Sequence, residues 1–149
     1  MELANATRSF LGMEPRWLAA QIELDDVQGL WGGRKISAEG TGQVVVRLVQ
    51  TAMLEHRYEF TLTEGEWKQL LNLFIENDFL TIRPDERPGR ADESRPSLTL
   101  VNAAGESWRV AKWAGIKDER FDALYTAIVR LETHIQHLTP TYSGPYQQG

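Results

Sequence analysis

The first half of the chain alternates apolar and polar residues, which is the pattern of half-buried β-strands. Ile22 and Leu24 alternate with Glu23 and Asp25 and predict a strand that follows Leu18. Three further strands are predicted over residues 34–38, 43–50 and 56–62. Glycine-containing segments separate the first three strands, including the hairpin turn over 39–42. The sequence therefore predicts four consecutive strands joined by short turns.

The hydrophobic period lengthens after the fourth strand and predicts a helix that begins at Thr63. Thr63 and Glu66 have the spacing of a capping box, in which each residue bonds the backbone amide of the other. Apolar residues then follow at helical spacing: Trp67, Leu70, Leu71, Phe74 and Ile75. This helix is predicted to end near Asn77 and Asp78.

Two strands and a second helix follow a polar segment. The strands are predicted over 98–101 and 106–113, and the helix over 117–138. The apolar residues of this helix are spaced 3, 4, 3, 4 and 3 apart: Phe121, Leu124, Ile128, Leu131, Ile135 and Leu138. The order β-β-β-β-α-β-β-α predicts an α+β fold, with an antiparallel sheet of about six strands and two helices packed on one face.

The regular pattern covers residues 18–138, which we interpret as a single α+β domain. The chain has 149 residues, a length that suits one domain with its own core. Residues 1–17 show no periodicity and are predicted to be a flexible N-terminal segment. Residues 139–149 contain two prolines, two glycines and two glutamines, and are predicted to be a disordered tail.

Composition excludes several classes of function. The net charge is −5 and the pI is about 5.2, whereas nucleic-acid binding needs a basic patch. There is no cysteine, so disulfides, thiolate metal sites and cysteine nucleophiles are absent. No apolar run is long enough to span a membrane, and the N-terminus does not have the pattern of a secretory signal. These features predict a cytoplasmic protein that binds neither nucleic acid nor membrane.

The sequence offers no catalytic, cofactor-binding or metal-ligating residues that we would assign. The glycines around Trp31 fit neither the Walker spacing nor a dinucleotide-binding fingerprint, and no serine lies in a nucleophile elbow. His134 and His137 are three positions apart on the second helix and lack a third ligand nearby, so we interpret them as structural or solvated. No cofactor is predicted.

The segment 83–96 is the main candidate for function. It reads RPDERPGRADESRP, with four basic residues, four acidic residues and three prolines. Loops of this length inside a compact domain are uncommon and are often functional or mobile. Its balanced charge suits a protein surface better than a phosphate or a metal ion. Its ends are held by a capped helix and a strand, so the alternative is a mobile, solvated tip on fixed anchors.

Two tryptophans are candidates for the same partner-binding surface as the 83–96 loop. Trp31 lies in a glycine-rich turn and Trp113 ends a strand, so both are expected to be partly exposed, whereas Trp67 and Trp108 fall on predicted core faces. The predicted partner-binding residues are Trp31, Arg87, Arg90, Asp92, Glu93 and Trp113. The partner is predicted to be another protein. The apolar seam of the second helix either packs on the chain's own sheet or forms a homodimer.

The run from Trp31 to Leu131 resembles small bacterial domains of unassigned function. The shared features are Gly32-Gly33 before a strand, Asp78-Phe79 at a helix end and Arg87-Pro88-Gly89 in a loop. A similar layout occurs in emfourin-like inhibitors of thermolysin-type proteases. The resemblance implies an inhibitor-like or binding role and matches no inhibitory residue by position.

Two functions follow as hypotheses, beside a third possibility that the chain is a structural subunit whose second helix dimerises. The first is a non-enzymatic protein-interaction domain. The second is a small-molecule sensor or enzyme with a pocket between the sheet and the helices, which would need polar groups such as Glu23, His56 or Arg109 turned inward.

Overall fold

The computed structural model describes residues 4–147, which fold around one antiparallel sheet. Its seven strands are β1 (Gln21–Gln28), β2 (Gly32–Glu39), β3 (Gln43–Gln50), β4 (Leu54–Thr61), β5 (Ser97–Val101), β6 (Ser107–Ala111) and β7 (Tyr142–Pro145). They are arranged in the order β6-β5-β1-β2-β3-β4-β7. The helices are α1 (Ala6–Leu11), α2 (Glu14–Trp17), α3 (Glu64–Glu76) and α4 (Glu119–Val129). Short 3-10 helices cover Thr51–Met53, Phe79–Thr81 and Arg130–Ile135.

Strand alternation sorts the side chains onto two faces of the sheet. Leu24 pairs with Ile36 and Ile36 pairs with Val46, so these side chains form a row beneath the helices. All three are almost fully buried. Helices α3 and α4 cover this face with their apolar sides, which include Trp67, Phe74, Phe121 and Leu124. The predicted α+β class and the antiparallel sheet are confirmed. We call the side of the sheet turned away from α3 and α4 the open face.

The capping box at the start of α3 is also confirmed. The Glu66 backbone amide donates to Thr63 Oγ1 at 3.1 Å, and the Thr63 amide donates to Glu66 Oε1 at 3.0 Å. The helix ends at Glu76, close to the predicted boundary. Asp78 then adopts a left-handed conformation with φ of 40°, which turns the chain out of the helix.

Residues 1–17 were predicted to be flexible, and the structure differs over residues 6–17, which form α1 and α2; residues 1–3 lie outside the described residues. Thr7, Leu11 and Trp17 are buried, and the Trp67 indole nitrogen donates to the Trp17 carbonyl at 2.8 Å. Thr7 Oγ1 donates to Asp78 Oδ1 at 2.8 Å. The segment shows no period in the sequence because its two helices are short and bury only one or two residues each.

Residues 139–149 were predicted to be a disordered tail, and the structure differs there as well. Residues 142–145 form β7, which pairs antiparallel with β4 through Arg57 and Tyr142. Residues 148–149 lie outside the described part. The prolines and glycines of this segment argue against a strand in the sequence. Pro145 is nevertheless tolerated here because β7 is an edge strand, where a missing N–H costs no ladder bond.

The second predicted helix is shorter than the 22 residues from 117 to 138. Helix α4 ends at Val129 and continues as a 3-10 helix to Ile135. Its apolar seam packs on the chain's own sheet, with Phe121, Leu124, Ile128 and Ile135 all buried. The homodimer through this helix stays a prediction, and it would have to use other residues, such as Leu138, which is exposed.

Trp108 was predicted to lie in the core, and this was wrong. Its side chain is 37% exposed because β6 is an edge strand. The Arg83 guanidinium lies 5.5 Å from its ring centroid and covers part of it. Trp67 is fully buried, as predicted. No helix among residues 4–147 has the length and apolar character needed to cross a membrane.

Candidate functional site

The loop over residues 83–96 is held in one conformation by the carboxylate of Glu93. Arg87 donates two hydrogen bonds to it, at 2.8 Å to Oε1 and 2.6 Å to Oε2. The backbone amide of Arg90 donates to Oε1 at 3.1 Å, and that of Gly115 donates to Oε2 at 2.7 Å. The hydrogen bonds from Arg87 lower the pKa of Glu93 to about 2, against a smaller opposing effect of burial. Glu93 therefore stays ionised and joins three points of the chain.

Trp113 forms a second attachment for the loop. Gly89 lies so close to its ring that a Cβ atom on residue 89 would be 2.3 Å from the ring. The Arg95 guanidinium stacks 5.3 Å from the ring centroid. A groove of about 290 Å³ remains between residues 84–89 of the loop and the end of β6. The loop thus lies against the sheet edge, where the sequence had suggested a mobile tip.

The predicted partner-binding residues have three kinds of environment in the structure. Arg87, Glu93 and Trp113 form the internal frame of the loop. Arg90 and Asp92 are exposed at its tip, and Asp92 adopts a left-handed conformation with φ of 66°. Trp31 is 61% exposed but lies in the turn between β1 and β2. We call residues 88–92 the loop tip.

A separate cavity of about 450 Å³ lies between the sheet and α4. At one side, the Tyr125 hydroxyl donates to Asp26 Oδ2 at 2.5 Å and accepts from Arg34 Nη1 at 3.2 Å. Arg34 also donates to Glu132 at 2.5 Å. Burial raises the pKa of Asp26, although the Tyr125 hydrogen bond and Arg34 lower it. Burial and the bond to Asp26 raise the pKa of Tyr125 to about 12, so its hydroxyl remains a proton donor.

Lys112 lines the other side of this cavity. Only 6% of the residue is exposed, and its Nζ lies 2.8 Å from Asp122 Oδ1. The same ammonium group donates to the Ile116 carbonyl and lies 5.5 Å from the centroid of the Phe121 ring. Positive and negative groups therefore face one small volume, next to an aromatic wall.

Sequence reasoning missed these residues because Asp26 and Tyr125 are 99 positions apart. One signal was present: Asp26 shares the strand face of the buried residues Ile22 and Leu24, where a carboxylate needs a partner. The inward residues suggested instead do not line the cavity. Glu23 pairs with Lys35 on the open face, Arg109 is exposed, and His56 Nδ1 bonds Ser143 in β7 at 2.8 Å.

A third polar cluster lies on the open face, beneath the C-terminal segment. Glu55 is fully buried and accepts from Arg47 at 2.9 and 3.0 Å, from Arg57 at 2.8 Å and from the Gln147 amide at 3.2 Å. Tyr146 and Tyr142 stack on Arg47 and Arg57, respectively. The cluster fixes the C-terminal segment on the sheet and is structural.

His134 lies in the 3-10 helix that follows α4, and His137 lies just after it. His134 stacks on Phe60 with ring centroids 4.7 Å apart, and His137 is exposed. Within residues 4–147, no three histidine or acidic side chains are grouped so that they could hold a metal ion.

The chain was compared with protein-family models and with curated proteins. No family model matches it, and no curated protein matches it in sequence.

Proposed function

We propose that this chain is a non-enzymatic protein-interaction domain that presents the loop tip to a partner protein. The supporting observation is the four-fold coordination of the Glu93 carboxylate. It holds a highly charged surface loop in one shape before any partner arrives. Preorganisation of this kind lowers the entropic cost of association, which would otherwise include ordering of the loop.

The chemistry of the tip suits a protein surface. Arg90 and Asp92 are exposed, and neither side chain has an ion pair with another described residue. Pro88 restricts the backbone of the tip, and Gly89 packs against the Trp113 ring. Opposite charges two residues apart select a partner with a complementary pattern and disfavour others.

The inhibitor-like form of this proposal is tested with thermolysin. We expect the wild-type protein to slow cleavage of a fluorogenic peptide, and Arg90→Glu to weaken that inhibition about tenfold or more, because it reverses a charge at the contact. Arg130→Glu is the matched control, since Arg130 is also exposed and has no ion pair within the described residues. It makes the same charge change on another surface and should leave the inhibition unchanged.

Two results would count against it. If the wild type leaves thermolysin activity unchanged, the inhibitor form is excluded, and affinity capture with the same three proteins tests other partners. If every captured protein binds Arg90→Glu as well as the wild type, the loop tip is not the contact.

The cavity beneath α4 supports a second candidate, a small-molecule sensor or enzyme. The supporting observation is the Tyr125 hydroxyl, which bonds Asp26 inside a 450 Å³ space that also contains Lys112 and Asp122. Pockets with a few convergent polar groups and a perturbed carboxyl are typical ligand sites. A zwitterionic or polar molecule would find both charges there.

This candidate predicts a measurable change at Asp26. In Tyr125→Phe, the carboxylate loses the hydrogen bond that lowers its pKa, so its pKa should rise further above the ordinary value. The carboxyl carbon shift of Asp26, followed by NMR against pH, reports this directly. A screen of small polar compounds by thermal shift then tests binding. Compounds that stabilise the wild type but not Asp26→Asn support the site, and equal stabilisation of both would exclude Asp26 from it.

A further inference from the structure

Strand β6 forms one edge of the sheet. Two backbone hydrogen bonds, one at each end of the strand, show which of its residues bond to β5 and which point outward. The Asn102 amide donates to the Glu106 carbonyl at 2.9 Å, before the strand. After the strand, the Lys112 amide donates to the Pro96 carbonyl at 3.0 Å. In an antiparallel pair, residues that exchange hydrogen bonds alternate with residues that do not. The even-numbered residues of β6, Trp108 and Val110, therefore bond to β5.

The odd-numbered residues point their backbone groups the other way. Ser107, Arg109 and Ala111 direct their N–H and C=O groups away from β5, toward the open edge. The phase continues to Ala114, whose amide donates to the Ser94 carbonyl at 2.9 Å. Within residues 4–147, no strand pairs with this side of β6. The edge is thus a regular row of donors and acceptors.

The loop over 83–96 stands beside this row without pairing to it. Residues 84–88 face Ala111 across the groove of about 290 Å³, and Gly89 contacts the Trp113 ring. No backbone hydrogen bond joins these loop residues to β6 within the described chain. Pro84 and Pro88 have no N–H to donate, so this segment cannot act as a strand donor along its length. This segment lines one side of the groove, and the end of β6 lines the other.

We propose that the β6 edge binds an extended segment of a partner protein, which adds to the sheet as an eighth strand with an acidic side chain next to Arg109. This inference rests on the proposed interaction role and adds a second contact surface to the loop tip. Strand addition supplies affinity through main-chain bonds and specificity through alternate side chains. Arg109 is exposed on the open face and has no ion pair within the described residues.

The charge of Arg109 also argues against a second copy of the chain as the occupant. Two β6 edges that pair antiparallel about Arg109 would place the two guanidinium groups directly opposite each other. Like charges in that position are destabilising. An acidic side chain at the same place would instead form a cross-strand pair.

The test uses a displayed library of linear peptides of about six residues, the usual length of a strand. We expect enrichment of peptides with alternating apolar and acidic residues. Arg109→Pro removes one outward N–H while leaving the bonds to β5, because the residue 109 amide is not used in that ladder. The substitution should weaken binding of the enriched peptide about tenfold or more, because the edge no longer donates a hydrogen bond to the peptide and the proline ring clashes with it. Arg109→Ala keeps the N–H and should weaken peptide binding less.

Amide exchange by NMR identifies the bound edge. Binding should slow exchange at Arg109 and Ala111 and leave Trp108 and Val110 unchanged, because the latter are already bonded. Enriched peptides that bind Arg109→Pro as tightly as the wild type would overturn the inference. So would a wild type that dimerises through this edge in sedimentation experiments, or a library that yields no binder. A partner lost with Arg90→Glu but kept with Arg109→Pro refutes the edge and leaves the loop tip intact.

Discussion

Replacing Glu55 with alanine is expected to lower the free energy of unfolding by on the order of 3 kcal/mol, the usual cost of breaking a buried ion pair from one side. Glu55 is fully buried and accepts hydrogen bonds from two arginines and the Gln147 amide. Its removal leaves the Arg47 guanidinium, which is 10% exposed, next to an empty space. Urea denaturation at neutral pH measures the loss.

Glu59→Ala is the matched control for this substitution. Glu59 lies on the same strand and the same face of the sheet, but it is exposed. Exposed charges of this kind contribute little, so the control should change the free energy of unfolding by less than about 0.5 kcal/mol. Equal effects of the two substitutions would show that the buried cluster does not stabilise the fold.

The same carboxylate makes stability depend on pH. Burial opposes ionisation of Glu55, but hydrogen bonds from Arg47, Arg57 and Gln147 outweigh it and lower its pKa from 4.5 to about 2. Between these values the unfolded chain binds the proton that the folded chain excludes, so stability rises with pH there. The contribution is complete above pH 4.5 and is lost as the pH falls to 2. The Glu55→Gln variant should therefore show a shallower decline in that range than the wild type.

Replacing Trp17 with alanine is expected to cost about 3–5 kcal/mol, as for other large buried aromatic residues. Trp17 is 5% exposed, and its carbonyl accepts the indole N–H of the buried Trp67. Its own indole nitrogen donates to the Gly12 carbonyl at 3.0 Å. The substitution would empty the contact between α2 and α3 and expose that side of the core.

Leu18→Ala provides the control, because Leu18 is the next residue and is 46% exposed. Thermal unfolding followed by circular dichroism should show a much larger decrease in Tm for Trp17→Ala. A Tm for Trp17→Ala close to that of the control would mean that residues 6–17 contribute no stability.

The sheet and its two long helices could be predicted because each has a sustained period. Ile22 and Leu24 alternate with acids, and the α3 stripe from Trp67 to Ile75 is continuous. The short elements could not be predicted, since α2 has four residues and β7 has four, too few to show a period. What places them is tertiary contact: Trp17 against α3, and Tyr142 against Arg57.

The candidate sites could likewise be predicted only where a local pattern in the sequence marks them. The loop was recognisable from its composition, and the exposure of Arg90 and Asp92 could be expected from its charge. The role of Glu93 could not be read from the sequence, because one of its donors is the amide of Gly115, 22 residues later. Asp26 and Tyr125 meet only after the sheet and α4 have packed. Side chains that are brought together by long-range pairing leave no local pattern.

The strand order has a consequence for folding. Strands β1 to β4 pair in sequence through short hairpins, whereas the strands on either side arrive from far along the chain. Ile22 pairs with Leu100 and Arg57 pairs with Tyr142, separations of 78 and 85 residues. Such contacts form slowly because the intervening loop must close first. Until they form, β1 and β4 are both bare edges, and bare edges invite aggregation. By pairing with β1 and β4, strands β5 and β7 therefore complete the sheet and also protect the partly folded chain from aggregation with other chains.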